Sequence, residues 1–206
     1  MCDTVFPRAQ EAAQKYNIPG CFARLEEMLE GSDAEAVLII TPHQIHAQQA
    51  RQCIAAGRHV YVQKPMAPSV AEAEAMIAEA RTKGVKIAAA PGQALWPMYD
   101  RIREAVERGD IGHPFWAMPP MMGWGGYEKD FPTNPAWFFQ EGAGPLRDHG
   151  GYGFQSLVRL FGRAQRTVAM AGIAVADRLW NGTPFPVTEP ENTVALLDFG
   201  SCRYGL

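Results

Sequence analysis

Three short apolar runs, each followed by a turn and a helical pattern, frame the first half of this chain. Ala36-Val37-Leu38-Ile39-Ile40 contains no polar residue, the pattern of a strand buried on both faces. His59-Val60-Tyr61-Val62 and Val85–Ala90 are the second and third strand-like runs. After the first, Thr41-Pro42-His43-Gln44 has the form of a capping box with proline at the first helical position. It predicts that Thr41 caps a helix from Pro42 to about Ala56, closed by Gly57. Ser69 and Glu72 form a second box, opening a helix to about Lys83 that Gly84 closes. Strand, helix, strand, helix, strand with short connections predicts a parallel sheet with right-handed crossovers. Ligands of such sheets lie beyond the carboxyl ends of the strands. Thr41 and Lys64 each follow a strand directly, so the pattern puts both on one rim.

Further helices are predicted over residues 7–16, where Ala9, Ala12, Ala13 and Tyr16 share a face, over Arg24–Glu30, and over Met98–Arg108, ended by Gly109. The pattern then changes. From Ile111 to Pro145 come Trp116, Trp124, Tyr127, Phe131, Trp137, Phe138 and Phe139, interleaved with glycine and proline. A long loop of this kind is either functional or an aromatic packing surface between domains or subunits, and the pattern leaves both open. A helix running to about Phe161 follows, then strands over Gln165–Ala176 and Asn192–Phe199. The fold class is therefore α/β: a partial Rossmann-type parallel sheet in residues 1–111, then an incomplete α+β part in residues 112–206.

Composition narrows the classes of function. The chain has 206 residues, 20% of them charged, and a formal net charge of −3. That excludes a disordered chain and leaves no electrostatic footprint for nucleic acid. No apolar run approaches the length of a membrane span, and Met1-Cys2-Asp3-Thr4 lacks the features of a signal peptide. Cys2, Cys21, Cys53 and Cys202 are scattered, without a C-x-x-C pair, which fits reduced thiols in a cytoplasm.

The chemistry-bearing residues are few. Asp148 and Tyr152 are four apart and share one face of a helix; Asp148 could equally be that helix's N-cap. A tyrosine hydroxyl beside a lysine ammonium is a proton-transfer pair, because the cation favours the phenolate. With a carboxylate to hold Lys64, the set suits oxidation of a secondary alcohol, which requires a nicotinamide cofactor. His149 is the alternative acid/base, but it lies about 100° round a helix from Asp148, so the two should point differently. His43 and His46 stand three apart at a helix start. With no third ligand in view, they fit a dinucleotide contact better than a metal site.

Cys2-Asp3, Ala36–Pro42 with His46, Ala56-Gly57-Arg58-His59-Val60, Gln63-Lys64-Pro65 and Ile111-Gly112 together resemble the Gfo/Idh/MocA family of NAD(P)-dependent oxidoreductases, along essentially the whole chain. The resemblance implies a Rossmann domain joined to an α/β domain with a large open-faced sheet, and action on sugars, cyclitols and related alcohols. It implies that Lys64 is the lysine of the E-K-P motif, with Gln63 in place of the glutamate. Thr41, Pro42 and His46 match the T-P-x-x-x-H stretch beside the dinucleotide, where His43 also lies, and Asp3 would meet the adenine ribose. Asp148 and Tyr152 match D-x-G-x-H, with tyrosine for histidine, as in the branch resembling glucose–fructose oxidoreductase and dimeric dihydrodiol dehydrogenase. The implied catalytic set is Lys64, Tyr152 and Asp148. The implied cofactor residues are Asp3, Thr41, Pro42, His43, His46, Gln63, Lys64 and Pro65, holding NAD or NADP, with no metal. The expected partners are a sugar or polyol and a second copy bound through the C-terminal sheet.

The family opens with a strand and a glycine-rich turn, and no G-x-G-x-x-G occurs here. The chain is thus expected to be truncated at both ends. Beside the oxidoreductase stands an alternative: an inactive remnant serving as a sugar-binding or subunit-interaction module.

Overall fold

The computed structural model of the protein describes residues 1–119, 131 and 133–206. Trp124 and Tyr127 of the aromatic stretch lie outside the described residues. Strands β1 (Ala36–Ile39), β2 (His59–Val62) and β3 (Ile87–Ala89) form a parallel sheet in that order, with Val37 beside Val60 and Val60 beside Ile87. Helices α3 (His46–Ala55) and α4 (Val70–Lys83) cover one face. The core there joins Ile39, Val60 and Val62 to Ala50, Cys53, Ile54, Met76 and Ala80. Burial of an isoleucine such as Ile54 stabilises by about 1.5–3 kcal/mol.

The other face departs from expectation. Leu38 and Tyr61 pair across the strands and, with Ile40, stay exposed. The unbroken apolar run predicted burial on both faces, but among the described residues the helices packed on this sheet cover one. The N-terminal helices are α1 (Phe6–Lys15) and α2 (Leu25–Gly31). Leu25 and Leu29 of α2 pack against the same core, and Arg58 Nη2 donates to the Leu29 and Ser32 carbonyls at 3.2 and 3.0 Å.

The two capping boxes behave differently. Ser69 Oγ accepts the Glu72 amide at 3.2 Å, α4 begins at Val70, and Gly84 ends it with φ +70°. Thr41 does not cap. Pro42 is held extended, a 3₁₀ turn over His43–Ile45 intervenes, and the Thr41 hydroxyl donates to Gln49 Oε1 at 2.6 Å. Proline disfavours helical backbone in the residue before it, which leaves Thr41 one turn too early.

After β3, a 3₁₀ turn over Gln93–Leu95 leads to α5 (Pro97–Arg108). Strand β4 (Trp116–Ala117) pairs parallel with β9 (Tyr204–Gly205), and β8 (Asn192–Asp198) lies antiparallel between β9 and β5 (Arg166–Gly172). Helix α6 (Gly144–Phe161) packs on one face of this sheet through Leu157 and Phe161 against Leu197 and Phe199. The opposite face carries the cross-strand pairs Val168–Leu196 and Met170–Val194, all exposed. The architecture is the α/β class expected: a three-stranded parallel sheet followed by a mixed, mostly antiparallel sheet.

Strand β5 ends at Gly172, short of the expected Ala176, and a hairpin of β6 (Asp177–Trp180) and β7 (Thr183–Pro186) follows. Its turn is Asn181-Gly182 with φ of +48° and +80°, the left-handed pair a two-residue hairpin requires. That dipeptide was the available sequence signal; Pro184 and Pro186 obscured it. Phe138 and Phe139, from a 3₁₀ turn over Pro135–Phe139, pack on Phe185 and Val187 of this hairpin region. Phe131, Trp137, Phe138 and Phe139 of the aromatic stretch thus pack with the hairpin region, while Trp116 of β4 stays exposed. No described helix is long and apolar enough to cross a membrane.

Candidate active site

Lys64 follows β2 through Gln63, and the Lys64–Pro65 bond is cis. Its ammonium makes an ion pair with Asp148 Oδ1 and stands 5.8 Å from the centre of the Tyr152 ring, within cation–π range. The spacing of Asp148 and Tyr152 on α6 makes this possible, since residues four apart stack on one helical face. Helix α6 begins at Gly144, with Pro145 in its first turn, so Asp148 is interior to the helix and is not its N-cap.

Asp148 has more partners than the sequence suggested. His43 Nε2 lies 3.5 Å from Oδ1, and His149 Nδ1 lies 3.1 Å from Oδ2. The expectation that Asp148 and His149 diverge thus fails at the side-chain tips: the imidazole is long enough to bend back to its neighbour. Burial alone would push the Asp148 carboxyl up. The hydrogen bonds from His43 and Lys64, with the charges of Lys64 and His149, outweigh it and hold the group below its ordinary value. His43 is itself buried and set edge-on to Trp137 at 5.2 Å between centroids. Gln44 Nε2 donates to the Trp137 carbonyl at 2.7 Å. Trp137 and Asp148 from the second half of the chain thus close over the turn after β1.

His46 is fully buried. Its Nδ1 lies 2.7 Å from the Pro65 carbonyl oxygen and its Nε2 2.7 Å from that of Thr41, so the ring ties together the turns after β1 and β2. It shapes the rim without facing it. Gln63 folds back, its Oε1 accepting the Lys64 amide at 2.9 Å. Asp3 stands apart from this group, next to an isolated bridge between Cys2 and Phe22, with its Oδ1 accepting the Val5 amide at 2.8 Å. The structure therefore brings Lys64, Asp148, Tyr152 and His43 together, sets Thr41, His46, Gln63 and Pro65 in the turns beneath them, and puts Asp3 elsewhere.

Residues the sequence reading passed over also converge here. Gln93, Tyr99 and Ser156 form a hydrogen-bonded group behind Tyr152. Arg147 pairs with Glu189, whose Oε2 accepts the Gly142 amide at 3.3 Å. None carries a motif; only the tertiary packing brings them together.

The residues present suit one end of a dinucleotide. The Lys64 ammonium and the buried His43, whose Nδ1 has no hydrogen-bond partner among the described residues, lie where strands of this kind meet their ligands. A pyrophosphate needs a cradle of backbone amides, which a G-x-G-x-x-G turn provides and this sequence lacks. Among the described residues, no group of three acidic, histidine or cysteine side chains could hold a metal ion.

Residues 1–90 match the GFO_IDH_MocA family, an oxidoreductase family with an NAD-binding Rossmann fold. Trans-1,2-dihydrobenzene-1,2-diol dehydrogenase of Mus musculus is 37% identical over 105 residues, covering 51% of this chain and 32% of the mouse protein. An uncharacterized oxidoreductase of Synechocystis is 29% identical over 202 residues, covering 92% of this chain and 52% of its own. Levoglucosan dehydrogenase, solved with NADH and L-sorbose, superposes with a TM-score of 0.79 at 20% identity over 99% of this chain and 55% of its own, a likeness of fold. The matches thus reach at most about half the length of these relatives.

Proposed function

We propose, for a chain whose residues 1–90 match the Gfo/Idh/MocA oxidoreductase family with its NAD-binding Rossmann fold, that the rim around Lys64 oxidises a secondary hydroxyl of a sugar, cyclitol or related polyol. The observation that supports this reading most is the packing of Lys64 against both Asp148 and Tyr152. In it, the Tyr152 oxygen takes the proton of the substrate hydroxyl, and Lys64 assists the transfer as the cation beside it. The Lys64 ammonium stands 5.8 Å from the centre of the Tyr152 ring. Asp148, kept ionised by its neighbours, holds the ammonium in place. NAD or NADP, when bound, supplies the hydride acceptor. Lys64, Gln63, Pro65, Thr41, Pro42, His43 and His46 would shape and line its nicotinamide end, and Asp3 would meet its adenine ribose.

The test pairs binding with turnover. NADH and NADPH are titrated into the chain by fluorescence, and NADH formation is followed with levoglucosan and with a dihydrodiol as probes. Lys64→Met should lower turnover by about 10²–10⁴-fold while cofactor still binds. Unchanged turnover would remove the lysine from the mechanism. Ligand binding with no cofactor binding in the parent would instead favour the sugar-binding or subunit-interaction module.

The exposed pairs Val168–Leu196 and Met170–Val194 favour a second copy packed on the C-terminal sheet. A mass that stays monomeric in sedimentation at micromolar concentration would refute that part. The division at residues 1–111 and 112–206, and a cytoplasmic setting for the four free cysteines, belong to the same reading.

A further inference from the structure

Tyr152 sits in the weakest turn of its helix. Gly150, Gly151 and Gly153 surround it, and each glycine inside a helix costs about 1 kcal/mol relative to alanine. The fit is tight at Gly150, where a Cβ would meet the Phe154 ring at 3.0 Å. A Cβ at Gly151 would stand 3.6 Å from Pro91 Cδ, so the loop after β3 lies directly on this turn. The backbone that aims Tyr152 is thus inherently loose and needs support from outside the helix.

That support is present and specific. Gln93 Nε2 donates to the Tyr152 carbonyl at 2.8 Å and approaches Ser156 Oγ at 3.2 Å. Ser156 Oγ donates to the same carbonyl at 2.7 Å and meets the Tyr99 hydroxyl at 2.6 Å. One turn further along, Arg159 pairs with Asp100 of α5. Ser156 is buried. Two donors therefore converge on one carbonyl, that of the residue whose ring faces Lys64.

We propose that Gln93, acting with Ser156 and Tyr99, is a positioning residue that fixes the Tyr152 turn of α6 against the strand rim. Lys64 holds α6 from the end of β2 through Asp148, and Gln93 holds it from the loop after β3 through the Tyr152 backbone. The two anchors together set the distance between ammonium and phenol. The proposal rests on the reading that Tyr152 takes part in proton transfer.

The experiment reads that distance without turnover. The chain is labelled with ¹³C at tyrosine Cζ, and the Tyr152 signal among the six tyrosines is assigned by Tyr152→Phe. Lys64→Met should shift this signal, because it removes a cation beside the ring. In a Gln93→Ala background the same substitution should shift it at least about two-fold less, and Ser156→Ala should act in the same direction. A merely structural role would lower stability and leave the shift intact. If Gln93→Ala unfolds the chain, Gln93→Glu keeps the side-chain length, removes the amide donor and gives the same reading. An undiminished Lys64→Met shift in these backgrounds overturns the proposal. If the shift behaves as expected while Lys64→Met and Tyr152→Phe leave turnover unchanged, the positioning stands and the proton-transfer reading fails.

Discussion

Replacing Asp148 with asparagine keeps the shape of the side chain and removes the charge that faces Lys64, His43 and His149. A hydrogen bond to a charged group contributes about 1.5–3 kcal/mol. The Lys64 and Asp148 side chains are 19% and 14% exposed, so solvent screens them little, though enough to keep the cost below that of breaking a fully buried pair. Asp148→Asn should therefore lower unfolding free energy by about 2 kcal/mol in urea titration at neutral pH. Much of that loss is the Lys64 ammonium left without its counter-charge, so Lys64→Met in the same chain should recover part of it, with a coupling of about 1–2 kcal/mol. The pH dependence has a fixed sign. The carboxyl is held below its ordinary value, so its contribution is present above the unfolded value of about 3.9 and is lost as pH falls from there through the lower folded value. The coupling should collapse in acid below the unfolded value. A coupling under about 0.5 kcal/mol at pH 7 would refute the reasoning, because residues without a shared interaction add to within that margin.

Ser69→Ala should cost about 1 kcal/mol in the same titration, since it removes the acceptor of the Glu72 amide at the start of α4; an unchanged midpoint would mean the box contributes nothing. Burial pushes the Cys53 thiol up to about 11. At pH 8 a disulfide reagent should therefore modify the exposed Cys202 and spare Cys53 until denaturant is added, and equal rates would contradict its burial.

The elements with strong local signals were legible. The Ser69 box, Gly84 and the strand at His59–Val62 stand where the pattern put them, because each is decided by neighbours within one turn. Thr41 shows the limit. Its box is as good in letters as that of Ser69, yet Pro42 directs the chain away and its hydroxyl finds Gln49 eight residues on. The unexpected hairpin at Asp177–Pro186 had its Asn-Gly turn in plain sight, but two prolines in the second strand masked the alternation.

For the candidate site, the sequence alone determined the residue types, their place at strand ends, and the spacing that stacks Asp148 on Tyr152, since all three follow from local geometry. Only the tertiary structure decided that Lys64 and Asp148, 84 positions apart, meet. It also decided that His43 and His149 share that carboxylate, that His46 turns inward, and that Gln93 reaches the Tyr152 carbonyl. Side-chain period and capping are properties of a few consecutive residues. Which rim loop a helix rests on is set by how two sheets and the helix between them pack, and no window of the chain contains that.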